Sequence, residues 1–189
     1  MWGLLAYRLL GMAYSLAVIY ETRHFNEPSL KFLTRWGVWL IALYYAVALL
    51  SHASARFHRT AVVLYVTAWT LEFPICLVFW TWIHWVLNVY IPPFFNYSAH
   101  GGLLLLLVLE LPLNAVDFQW KDLSYPIATA VAYQGVNLYY TVTSGPVYPG
   151  LNYSGAESAL MVGYVLAAIL GGYWLGVQTT KGKNKTKAA

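Results

Sequence analysis

Two side chains of this 189-residue chain have the types and placement for nucleophilic chemistry. His100 stands at the head of the run HGGLLLLLVLE, and Thr34 stands near the head of another apolar segment, in SLKFLTRWG. A hydroxyl is a weak nucleophile at neutral pH and needs an adjacent base to take its proton. A neutral imidazole can take it, and can later return it to a leaving alcohol. The two groups are the minimum set for acyl transfer, provided that both segments begin at the same depth. Many apolar segments open with a Thr or a His, so the residue types alone carry little weight.

The elements that must position the pair follow from composition. Hydrophobic residues make up 60% of the chain and charged ones 10%, against about 25% charged in a soluble domain. So little charge cannot cover a globule with a water-compatible surface, so an all-α polytopic membrane bundle is expected. The 9 Trp and 16 Tyr fit interfacial belts. Six apolar segments are candidate spans, each near the roughly 20 residues that a bilayer requires: 2–20, 32–50, 61–90, 98–114, 125–143 and 157–177. The first has no basic leader and no small-residue cleavage site, so it is expected to stay as a span. The third contains Pro74 and is expected to kink or tilt. The fifth carries Gln134 and Asn137 and is expected to face other helices. No internal repeat or second domain is visible. Residues 1–177 form one transmembrane domain in this reading, and 178–189 a basic cytoplasmic tail.

Lys and Arg set the orientation. With the N-terminus cytoplasmic, the inner side holds Arg8, Arg56, Arg59, Lys121, Lys181, Lys183, Lys185 and Lys187, and the outer side Arg23, Lys31 and Arg35. Both termini are therefore expected to be cytoplasmic. Spans two and four then both run inward from the outer face. Thr34 and His100 fall at similar depth, with the loop GPVYPGLNYSG, including Tyr148 and Pro149, capping the same side. The basic balance points to orientation and anionic lipid, not to nucleic acid.

Other polar residues admit plainer readings. Glu72, beside Phe73 and Pro74, is either a structural hydrogen-bonding group or part of a substrate site. Glu110 lies almost three turns from His100, about 15 Å along a helix, and is expected to close its helix or reach a basic side chain. His84 and His100 on consecutive helices are one conceivable haem pair, but no second pair accompanies them. His52, Arg56, His58 and Arg59 are expected to set topology and touch headgroups, not to bind metal, and Trp80, Trp82 and Trp85 to form an aromatic belt. Cys76 is the single cysteine, which excludes an internal disulfide and a cysteine-based zinc cage. No metal and no cofactor is expected.

The segments SLKFLT, EFP, NxxxHxxxxLLxxLE and VTSGPVYPGL occur in that order between Ser29 and Gly155. The chain in this respect resembles the androgen-induced, androgen-dependent family of multi-pass membrane threonine hydrolases, which cleave fatty acid esters of hydroxy fatty acids. The resemblance implies Thr34 as nucleophile and His100 as base. It also places the family's acid on Glu110 and its Val-Tyr-Pro on Val147, Tyr148 and Pro149. A second histidine of that family, three residues before the first, is replaced here by Tyr97, and two inter-span loops are shorter. The implied partners are membrane lipids and a lipid ester, in the endoplasmic reticulum. For the oxyanion, the backbone amides of Gly101 and Gly102, at the expected start of span four, are candidate donors, with tight helix packing as the plainer role of these glycines. Glu72 and Tyr148 complete the candidate substrate contacts. The alternative is a non-catalytic accessory subunit with the same fold, held by its basic tail in a larger membrane assembly, in which case a mitochondrial inner membrane also fits.

Overall fold

The computed structural model describes residues 2–22, 30–84, 93–148 and 150–186. Arg23, Trp85, Pro149 and Lys187 of the sequence reading lie outside them. The described residues are all-helical: α1 Trp2–Thr22, α2 Leu33–Ala53, α3 His58–Val78, α4 Pro93–Tyr97, α5 Leu103–Glu110, α6 Ser124–Ser144 and α7 Gly155–Thr186. Four stretches are long and apolar enough to cross a membrane: Trp2–Glu21, Leu33–Ala53, Ala55–His84 and Gly155–Lys181. The stretch Phe94–Glu110 is apolar but shorter. α6 reaches 21 residues but is diluted by Gln134, Asn137 and its hydroxyl-bearing side chains, so it is absent from the four.

α3 is the central element. It packs against α2, α5, α6 and α7, and a helix surrounded on several sides is buried nearly all round. Its partner α2 joins it through a tight link, where Ser54 leaves the helical conformation and a 3₁₀ turn, Ala55–Phe57, restarts the chain. Between them lies a cluster of rings, Tyr44, Tyr45, Tyr65 and Trp69, all buried. The contact is closest at Gly37, where a Cβ would lie 2.4 Å from Glu72 Oε1 and 2.6 Å from Ile75 Cδ1.

Pro74 lies inside α3 without ending it. Proline removes a backbone donor and crowds the preceding turn. One turn after it the helix widens into a π-helical segment, Phe79–His84. A second π-helical segment, Ser98–Gly102, joins α4 to α5, with His100 at φ −115°, ψ 17°. Both irregular segments flank the same cleft, and single π turns recur at functional sites.

α7 runs past residue 177, where the basic tail was expected to begin. The helix continues to Thr186, and Thr180 is buried, its hydroxyl accepting from the Phe118 amide. The start of the basic segment is therefore packed structure, because a helix whose last apolar turn is covered by Phe118 has no reason to fray there.

Candidate functional site: a hydroxyl–imidazole pair in an apolar cleft

Thr34 occupies the first turn of α2, and His100 the irregular turn between α4 and α5. The two meet: Thr34 Oγ1 lies 3.1 Å from His100 Nε2. The other ring nitrogen, Nδ1, lies 3.1 Å from the carbonyl oxygen of Asn96. A carbonyl only accepts, so Nδ1 carries the hydrogen, and in the neutral ring Nε2 is then an acceptor. The Thr34 hydroxyl therefore donates to Nε2, the direction a general base requires. His100 is nearly buried, at 4% exposure. The Phe79 ring stacks on its face at 3.6 Å between centroids, Phe95 meets it edge-on, and Trp80 Nε1 donates to its carbonyl at 2.7 Å. The imidazole is thus held on its face, its far nitrogen and its backbone.

Both residues line one partly open cleft of about 50 Å³. Its walls are mostly apolar, from Pro74, Ile75, Val78 and Phe79 of the third helix to Leu151, Met161 and Val165 near and on α7. Tyr148 enters it from the α6–α7 loop. Its hydroxyl accepts from the Leu33 amide at 2.9 Å, next to Thr34 in sequence, and sits 3.2 Å from the Tyr133 hydroxyl. Tyr133 spends its own hydrogen on the Lys31 carbonyl at 2.8 Å. The Tyr148 hydrogen is left for Tyr133 or for a group in the cleft. Burial raises the Tyr148 phenol above its ordinary value, so it stays a donor.

Other expected site residues lie elsewhere. Gly101 and Gly102 are not at a helix start: the chain turns helical at Pro93, two turns earlier, so their amides belong to the body of the helix. Neither lines the cleft. Gly102 is small because the Tyr14 hydroxyl lies 2.4 Å from where its Cβ would be, which is the tight-packing role. Glu72 also does not line the cleft. It is fully buried against Gly37, and neither carboxyl oxygen has a hydrogen-bond partner among the described residues, so the expected bond to hydroxyls or freed backbone is not made.

Glu110 does reach a basic side chain. Arg8 Nε donates to its Oε1 at 2.9 Å, and the Tyr44 hydroxyl donates to the same oxygen. Arg8 also binds His52, and Arg59 pairs with Asp122 at 2.5 Å, so these two expected headgroup residues have protein partners while remaining exposed. Asn96, whose carbonyl orients His100, was not anticipated, although a helical i−4 carbonyl is the nearest acceptor to a ring nitrogen. The ring of Phe79 lies between His84 and His100, and both nitrogens of His100 already face protein partners, so the haem pairing is not formed. Tyr97, at the place of the family's second histidine, stacks on Trp80 at 63% exposure and points away from the cleft.

Among the described residues, the fold and site define an all-helical arrangement, with four helices that could cross a membrane, built around a hydroxyl–imidazole pair. No family model matches this chain, and no curated protein or solved structure is significantly similar to it.

Proposed function

We propose that the chain is an intramembrane ester hydrolase, with Thr34 as nucleophile and His100 as base, of the threonine-hydrolase type that its motifs resemble. The observation that carries this reading is the Thr34 Oγ1 to His100 Nε2 contact at 3.1 Å, with Nδ1 held by the Asn96 carbonyl. In the first step, Thr34 Oγ1 bonds to the ester carbonyl carbon as Nε2 takes its proton. The C–O bond to the alcohol then breaks, and the imidazolium protonates the departing oxygen. In the second step, water gives a proton to Nε2 and its oxygen to the acyl carbon. The bond to Thr34 breaks, and Oγ1 recovers the proton as the fatty acid leaves. The oxyanion falls at the first turn of α2, where the helix dipole favours negative charge, although the Leu33 amide already donates to Tyr148 and the Arg35 amide to the Phe32 carbonyl. The Tyr148 hydroxyl, bonded to the Leu33 amide, is the side-chain donor for that oxygen, the role first assigned to Gly101 and Gly102.

In this reading the shorter stretch Phe94–Glu110 and the more polar α6 also cross the bilayer. That makes six crossings with both termini cytoplasmic and the cleft near the outer leaflet, as in an endoplasmic reticulum protein. Substrate is a membrane lipid ester of the fatty acid–hydroxy fatty acid type. Purified protein should hydrolyse such esters, and Thr34→Ala or His100→Gln should each lower kcat at least about a thousandfold while leaving the size-exclusion profile unchanged. A fluorophosphonate probe should label the wild type and not Thr34→Ala. Wild-type activity in either variant refutes the assignment. A folded wild type that cleaves no ester favours the accessory-subunit reading.

A further inference from the structure

The cleft does not end at the reacting pair. A second cavity, of about 80 Å³ and open on one side, adjoins it and shares Gln134 and Val165 as lining residues. It lies between α6 and α7. These two helices lean on α3 and make few contacts with each other, so a gap opens along their facing sides. Apart from Gln134, its lining is wholly aliphatic, including Ile127 and Ala130 from α6 and Val162 and Ile169 from α7. Ile169 forms a closed floor at 0% exposure, while Val131 at 65% and Leu166 at 47% form an open rim. From Gln134 back to Ile127 is about two helical turns, roughly 10 Å, the reach of about eight methylenes.

We infer that this α6–α7 groove is the acyl-chain site of the Thr34 cleft: it takes a fatty acyl chain and sets the chain length that the enzyme prefers. The inference rests on the hydrolase reading for its catalytic consequence. Three observations select a single hydrocarbon chain as occupant. The groove adjoins the cleft where the ester would react, the two sharing Gln134 and Val165 as walls. Its walls offer no charge, and a polar chain would lose its hydration there without compensation. Its open rim lets a chain enter sideways from the hydrophobic phase, so the ester need not pass through water. Gln134 marks the junction, with its Oε1 already accepting from the Tyr153 hydroxyl at 2.6 Å.

Two arms test it. The first measures kcat/KM of full-length protein in nanodiscs on 4-methylumbelliferyl esters from butyrate to palmitate. Ala130→Phe and, from the facing helix, Val162→Phe should each lower the palmitate-to-butyrate ratio by about tenfold. Ala132→Phe, on an exposed face of the same helix, should leave activity and ratio unchanged. The second arm photolabels wild-type protein with palmitic acid carrying a terminal diazirine. Adducts should map to 127–134 and 162–169 and be displaced by unlabelled palmitate. If esters are cleaved and both filling variants keep the wild-type ratio, the groove assignment is overturned and the hydrolase reading stands. If no ester is cleaved, the label decides: displaceable adducts in the groove support the chain site and end the hydrolase reading. Adducts spread over all exposed helix faces without displacement, as from bulk lipid, overturn the groove.

Discussion

Arg8→Met is the substitution whose consequence the structure makes most calculable. Arg8 Nε donates to Glu110 Oε1 at 2.9 Å, and Nη1 donates to the Ala48 carbonyl at 3.2 Å and to His52 Nε2 at 3.0 Å. The two side chains retain 10% and 0% exposure. Tyr44 is the other donor to Oε1, and Oε2 has no hydrogen-bond partner among the described residues. Without the guanidinium, the carboxylate is left buried with one hydroxyl for company. Breaking a buried pair in this way costs about 3–5 kcal/mol. For a chain of this size each kcal/mol moves Tm by about 2–4 °C, so Tm should fall by roughly 10 °C. Heating detergent-solubilised protein and following the surviving monodisperse peak measures it. The double variant Arg8→Met, Glu110→Leu removes both charges and should recover most of the loss. A fall in Arg8→Met under about 3 °C, or no recovery in the double variant, refutes the view that this pair matters through its burial.

The other predictions concern the cleft and its surroundings. Tyr148→Phe removes only the hydroxyl and should lower kcat by about a hundredfold with KM little changed, read by steady-state kinetics. Glu72→Met removes a buried carboxyl that has no partner and should raise Tm while leaving kcat/KM at the wild-type value, and lost activity would restore Glu72 to the substrate site. Gly37→Ala sets a Cβ 2.4 Å from Glu72 Oε1 and 2.6 Å from Ile75 Cδ1 and should cost about 1–3 kcal/mol, only partly relieved when Glu72→Ala is added because the Ile75 contact remains. Phe79→Ala frees the His100 ring from its stacking partner and should lower kcat more than it lowers Tm.

Several features were open to a reading of the residues alone. Thr34 and His100 could be expected to meet because each stands beside an apolar run read as entering from the same side, and the fold brings them within 3.1 Å. Glu110 could be assigned to a basic partner because a carboxylate at the end of an apolar helix has few other ways to be accommodated. The expected oxyanion donors failed for a local reason. Gly101 and Gly102 were read as a helix start because the leucine run begins after them. The chain is already helical from Pro93, and PFFNYSA does not announce this by periodicity. Glu72 failed for a tertiary reason: nothing in its neighbours shows that Gly37 of another helix, and not the cleft, receives it.

By itself, the amino-acid order determined the helical class, the places of the apolar segments and the two residues able to share an acyl-transfer step. Those depend on hydropathy and on side-chain chemistry, which are properties of each residue and its near neighbours. The pairing of Arg8 with Glu110, the proton on Nδ1 of His100 and the gap between α6 and α7 were decided only by the folded chain. Each arises from how helices distant in sequence lean on α3, and packing between distant surfaces is a sum over many small contacts that no short stretch encodes.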